Sequence, residues 1–247
     1  MTGRERRELI VSIDGPVGAG KSTVARILAK KLGYQYIDSG AMYRAVACAA
    51  LRKGIDLNDE SALSSLINRM KIEFGEEEGK MRTYLWDEDI SDEIRSPEAS
   101  QASSRISVLP EVRKRLVSLQ RQMGEKSDGG VVMEGRDIGT VVFPDADIKF
   151  FLDGSPEERA RRKHQDLRGA GVHADLSETM REITVRDERD RHRAVSPLRP
   201  AEDCIVIDST ELEVEQVVNL MLHEIRSRLK VRTKKRLKPF FLANGGD

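Results

Sequence analysis

Gly15-Pro16-Val17-Gly18-Ala19-Gly20-Lys21-Ser22 satisfies the spacing G-x-x-x-x-G-K-[ST], and its flanks decide what that spacing means. Before it, Leu9-Ile10-Val11-Ser12-Ile13 is a short apolar run of the kind a buried strand shows, and after it Val24, Ile27, Leu28 and Leu32 recur at helical intervals. The reading is strand, glycine loop, helix. In that arrangement glycine lets the loop curl until successive backbone N–H groups face inward, where they and the helix N-terminus hold the α- and β-phosphates of a nucleotide. Lys21 reaches the β- and γ-phosphates, and the Ser22 hydroxyl is placed for Mg²⁺.

Working outward, Gly33 closes the first helix and Tyr34-Gln35-Tyr36-Ile37 reads as a second strand that ends at Asp38-Ser39-Gly40. Helices are expected over 41–53 and 61–70. The pattern then changes to short antiparallel strands over 71–74 and 80–86, with turns at 75–79 and 87–89, an insertion into the core. Helices resume over 97–107 and 110–123, the second with proline in its first turn. The core returns in two apolar strands, 130–133 and 148–152, which run into Glu134-Gly135-Arg136-Asp137 and into Asp153. Ser155-Pro156-Glu157-Glu158 is a capping box opening an Arg-rich helix. Gly169-Ala170-Gly171 breaks it, and a second helix spans 176–193. Cys204-Ile205-Val206-Ile207 is the last strand, 214–229 the last helix, and 230–247 a basic, loosely held tail. Strands alternating with helices make this an α/β protein with a parallel sheet flanked by helices.

A chain of 247 residues is long enough for a sizeable core. Lys plus Arg equal Asp plus Glu at 42 each, so the net charge is zero; a protein whose main task is coating nucleic acid is excluded on that balance, and any basic site must be local. Residues 1–8 are polar, and no stretch approaches the ~18 apolar residues of a membrane span. A cytoplasmic protein is expected, with Cys48 and Cys204 as buried reduced thiols. The four histidines show no metal-ligand spacing.

In an open parallel sheet ligands sit beyond the carboxyl ends of the strands. Here that set is the phosphate loop, Asp38-Ser39-Gly40, Glu134-Gly135-Arg136-Asp137, Asp153 and Asp208-Ser209-Thr210. Asp153, Asp208 and Ser209 read equally well as helix caps, whereas Arg136, between acids just past a buried strand, points to function. A second constellation is Arg186-Asp187-Glu188-Arg189-Asp190-Arg191-His192-Arg193, where Arg186, Asp190 and Arg193 fall at i, i+4 and i+7 on one stripe. Such a face is often only an exposed ion-pair lattice; beside a phosphate loop it reads as a lid whose guanidiniums neutralise the charge that spreads in phosphoryl transfer. Arg159 and Arg162 on the preceding helix are read with it, and Arg44, one turn past Asp38-Ser39-Gly40, as the grip on a second phosphate held in line with the first.

Together the loop 15–23, Asp38-Ser39-Gly40-Ala41-Met42-Tyr43-Arg44, residues 134–144 and residues 186–194 closely resemble bacterial-type cytidylate kinase, a nucleoside monophosphate kinase family of the P-loop class. The resemblance covers roughly residues 9–225 and implies a P-loop NTPase-type sheet divided into core (1–40, 126–154, 196–229), a monophosphate-binding insert (41–125) with helices and a small antiparallel sheet, an Arg-rich helical lid (155–195) and the tail. It implies that ATP with Mg²⁺ donates its γ-phosphate to CMP or dCMP. Lys21, Arg136 and Arg193 are then the catalytic residues. ATP would be held by Gly15, Pro16, Val17, Gly18, Ala19, Gly20, Lys21, Ser22, Thr23, Arg159 and Arg162, with Mg²⁺ on Ser22. CMP would meet Ser39, Arg44, Ser104, Arg113, Glu134, Arg136, Asp137, Arg186, Asp190 and Arg193. Arg44, Arg136 and Arg193 would hold its phosphate, Arg186 and Asp190 its sugar, and Ser104, Arg113 and Asp137 its base. A monomer is expected, with no membrane or nucleic-acid partner.

Three rivals are distinguishable. A regulatory GTPase should carry Asn-Lys-x-Asp, which does not occur. A nucleic-acid module would use the basic run 226–238, but aromatic residues are only 4%, poor for stacking bases. The third, a P-loop kinase for another monophosphate or small metabolite, is the nearest alternative.

Overall fold

The computed structural model describes residues 9–127, 129–169 and 171–236, with side chains as far as Leu229. The polar stretch 1–8 and tail residues 237–247 lie outside the described residues, as do the side chains of 230–236.

Five parallel strands form the main sheet: β1 (Ile10–Asp14), β2 (Gln35–Asp38), β6 (Val131–Gly135), β7 (Ile148–Asp153) and β8 (Ile205–Asp208), in the order β2-β6-β1-β7-β8. Side chains alternate across it. Val131 and Met133 join Ile37 on the face covered by α2 (Ser39–Arg52), α3 (Glu60–Ile67), α4 (Pro97–Ile106) and α5 (Pro110–Glu125), while Val132 joins Val11, Ile13 and Phe150 on the face covered by α1 (Lys21–Leu32) and α8 (Val214–Arg236). Both faces are therefore dry, which explains why the strands read as continuous apolar runs.

Local rules fix the helix starts. The Asp38 carboxylate accepts from Ala41 N (2.8 Å) at the head of α2, and Ser96 Oγ accepts from Ala99 N (3.1 Å) ahead of Pro97 in α4. Gly33, left-handed at φ 70°, ends α1. Between α3 and α4 lies a second sheet of β3 (Ile72–Glu77), β4 (Lys80–Leu85) and β5 (Glu88–Asp89), antiparallel, its first hairpin turning through Glu78 and Gly79 at positive φ. The turn expected at 87–89 is thus partly a third strand. After β7, α6 (Pro156–Gly169) and α7 (Leu176–His192) pack on each other, α7 capped by Asp175, whose carboxylate accepts from Ser177 N (2.8 Å).

Two expectations shift. The last helix runs seven residues past 229, because its lysines and arginines are good helix formers as well as charges. Cys204 is half-buried rather than buried; Cys48 is buried, and both thiols are free. Asp153 and Asp208 cap no helix: their carboxylates accept from Gly154 N and Thr210 N in the turns after β7 and β8, and the cap of α6 is Ser155, whose Oγ accepts from Glu158 N. Among the described residues no helix is long and apolar enough to cross a membrane.

Candidate active site

The ladder sets Asp14 beside Gly135 and Phe151, Asp38 beside Glu134, and Asp153 beside Asp208, so every polar strand end opens along one edge. Above that edge is a cleft of about 1130 Å³. One wall is the phosphate loop. Gly15 sits at φ 151°, and a Cβ there would overlap the carbonyl oxygen of Leu152, so only glycine lets the loop leave β1 across β7. The helix it feeds begins after Gly20 with no side-chain cap, leaving its first N–H groups without a side-chain acceptor at the cleft wall. Lys21 folds back to donate from Nζ to Pro16 O (2.6 Å). Burial, and then the nearby Arg136, push its ammonium down to about 7. Ser22 donates to the Glu134 carboxylate, which also accepts from the Tyr36 hydroxyl (3.2 Å); burial, then Asp38, raises Glu134 above the usual carboxylate range.

The facing wall is cationic. Arg44 pairs with Asp38 (2.9 Å), Arg136 with Asp190 (2.9 Å), and Arg113 with Asp137; Arg193 lies 3.6 Å from the other oxygen of Asp137. Burial opposes the charge on Arg136, but Asp190 more than offsets it and the guanidinium is held above its ordinary value. Burial also opposes the charge on Asp190, yet Arg136 and Arg186 keep its carboxyl below the usual range. Arg186 is different: burial, followed by Arg136, brings it down to about 10, and burial with Arg113 lowers Arg193. Four guanidinium nitrogens on this wall, Arg44 Nε, Arg113 Nε, Arg186 Nε and Arg193 Nη2, are buried with no hydrogen-bond acceptor. Buried donors are normally satisfied. Such a cluster of unsatisfied cationic donors suits phosphate oxygens.

Most of the sequence-derived set lines this cleft: residues 17–23, Ser39, Arg44, Arg113, Glu134, Arg136, Asp137, Arg162, Arg186, Asp190 and Arg193. Four of that set are placed elsewhere. Gly15 and Pro16 shape the loop from behind. Arg159 is 2% exposed and pairs with Asp187 (2.6 Å) while donating to Val17 O (3.0 Å), so it ties α6 and α7 to the loop's outer side. Ser104 accepts from Arg189 (2.8 Å) beneath the wall. Arg162, though at the cleft, also donates to Ser209 Oγ (3.0 Å) and Ser209 O (2.6 Å).

A family profile described as Cytidylate kinase matches residues 11–227. The chain belongs to the cytidylate kinase family. Relatives named "Cytidylate kinase" agree: that of Pelotomaculum thermopropionicum is 53% identical over 87% of this chain and 95% of its own, and that of Vibrio cholerae 48% identical over 89% and 97%. The Pasteurella multocida relative is 44% identical over 91% and 98%. Family membership makes the chain a P-loop phosphotransferase.

Sequence reading passed over several cleft residues of this cytidylate kinase family chain. Tyr43 is not among them, since it falls in the 38–44 stretch read as the acceptor side; Arg113 stacks over its ring (5.8 Å) at the cleft. Phe74, Met81 and Thr83 reach the cleft from the antiparallel sheet, a long-range placement with no local signal. Lys163 faces the cleft from α6, and burial lowers its ammonium; a count of arginines on that helix did not separate it from its neighbours.

Proposed function

We propose that this chain transfers the γ-phosphate of ATP to CMP or dCMP, giving CDP or dCDP and ADP, as a monomer in the cytoplasm. The carrying observation is the cleft's two unlike walls: an uncapped phosphate loop on one side, four unsatisfied guanidinium nitrogens on the other, and the Arg113–Asp137 pair between them. That pair presents donors beside an acceptor, and cytosine presents N3 and O2 acceptors beside an N4 donor. Uracil sets a carbonyl where the carboxylate needs a donor, which leaves a buried polar group unpaired.

ATP would lie along residues 15–23, with Lys21 moving from Pro16 O to the β- and γ-phosphates and Arg162 closing from α6. Arg159 acts from behind, holding α6 to Val17. The CMP phosphate is assigned to Arg44, Arg136 and Arg193, its sugar to Arg186 and Asp190, and its base to Arg113 and Asp137, with Ser104 supporting through Arg189. Ser39 and Glu134 line the floor between the nucleotides. Residues 41–125 form the monophosphate side and 155–195 the lid. The Ser22 hydroxyl and Glu134 carboxylate, in contact with each other, are hard oxygen donors of the kind Mg²⁺ takes. Bound with ATP, the ion supplies charge neutralisation at the phosphate oxygens.

No general base is required. The acceptor is a phosphate whose second pKa is about 6, already a dianion at neutral pH. Catalysis is therefore positioning and neutralisation: Arg44 and Arg193 orient the attacking oxygen, and Lys21 and Arg136 meet the charge that spreads over the transferring group. ADP release measured with CMP, dCMP, UMP, AMP and GMP in turn tests the reading; a preference for any monophosphate other than the two cytidine ones refutes it.

A further inference from the structure

The turn that follows β6 has an unusual cap. Residues 138–142 form a single wide helical turn, and Asp137 stands at its N-cap position. Aspartate is among the best N-cap residues, because its side chain readily accepts from the free N–H groups of the first turn. Here it does not: the Asp137 carboxylate makes no cap and instead meets Arg113 and Arg193. The orphan donors are satisfied from another strand. Asp14, the last residue of β1 and 4% exposed, accepts from Ile138 N through one carboxylate oxygen and from Gly139 N through the other, both at 2.7 Å.

We infer that Asp14 is a positioning residue for base selection: by capping the 138–142 turn in place of Asp137, it keeps the Asp137 carboxylate free for Arg113 and the nucleotide base. Close packing supports this. A Cβ at Gly139 would come within 2.8 Å of Ser12 Oγ and 3.3 Å of Asp14 Oδ2, so the turn is seated directly on the end of β1. The arrangement is also costly on its own terms. Burial pushes the Asp14 carboxyl up to about 7 despite its two N–H donors, and a buried carboxylate without a cationic partner within pairing distance is poor material for stability alone. Released from Asp14, the Ile138 and Gly139 N–H groups would draw on the residue at their own N-cap position, Asp137.

The inference rests on the reading that Arg113 and Asp137 face the base of CMP, and the test separates the two. Asp14→Asn in the full chain keeps shape but offers one acceptor where two are needed. With ATP saturating, KM for CMP should rise about tenfold or more, KM for ATP should stay within about twofold, and the CMP-to-UMP preference should shrink about tenfold, the scale of one unmade buried hydrogen bond. Gly139→Ala displaces the same contact from the opposite side and should show the same pattern; it decides the matter if Asp14→Asn does not fold. Loss of melting temperature with an unchanged CMP-to-UMP ratio, or equal rises in both KM values, overturns the role of Asp14. Failure of the unmodified chain to prefer CMP overturns the base-site reading instead, and this inference with it.

Discussion

Asp137→Asn separates the two things a buried carboxylate can do here, because the substitution keeps the side chain's shape and removes its charge. Asp137 is 6% exposed and stands between Arg113, 2% exposed, and Arg193, 9% exposed. Breaking a buried pair by removing one partner typically costs 3–5 kcal/mol, so a value of about 2–3 kcal/mol is expected where the amide oxygen still accepts and Ser107 O still receives Arg113 Nη1. For a chain of this size that is a fall of roughly 5–10 °C in melting temperature. Selectivity should move further. The carboxylate only accepts, so it favours the N4 donor of cytosine over the O4 acceptor of uracil, while an amide rotates to satisfy either. With one mismatched buried group worth about 1–3 kcal/mol, kcat/KM for CMP should drop up to about a hundredfold, that for UMP should hardly change, and their ratio should approach one. Coupled ADP-release assays with both monophosphates, beside a thermal melt, measure both effects on one preparation. If the melt shifts as expected while the CMP-to-UMP ratio stays within about threefold of the unmodified chain, Asp137 only balances two arginines and the base-reading argument fails.

Other outcomes follow from the same geometry. Lys21→Ala and Arg193→Ala should each lower kcat by about a thousandfold with an unchanged circular-dichroism spectrum, since the first removes charge from the transferring group and the second the grip that orients the attacking oxygen; near-normal turnover would remove that residue from the catalytic set. Gly15→Ala should destabilise the chain by more than about 2 kcal/mol in urea titrations, because a left-handed backbone and the Leu152 carbonyl both reject a Cβ. Arg186→Met should raise the melting temperature of the nucleotide-free chain while weakening CMP binding in calorimetry, because the native guanidinium is charged against a burial cost. An unchanged or lower melting temperature for the variant would refute the assignment.

How much of this was legible in the sequence depends on range. The phosphate loop, the parallel strands and the caps at Gly33 and Ser155 are local, and they were readable because helix phase, strand alternation and capping chemistry act over a few residues. Strand order was not: nothing near β6 says that it inserts between β1 and β2. Arg159 and Arg162 share one composition signal, and only packing against Asp187 and Val17 turns the first inward. Ser104, expected to meet the base, accepts from Arg189, an arginine more than 80 residues away. Asp14 carried no signal at all, since its partners lie more than 120 residues away.

The concentration of cations in the cleft of a chain with zero net charge bears on the direction of the reaction. Moving a phosphoryl group from a triphosphate to a monophosphate makes two diphosphates, and the total negative charge carried out equals that carried in. The arginines therefore grip products about as firmly as substrates. An electrostatic field of this kind speeds approach to equilibrium from either side without choosing one. Turnover should then be paced by departure of the diphosphates, and the balance between them should be set by nucleotide concentrations rather than by the protein.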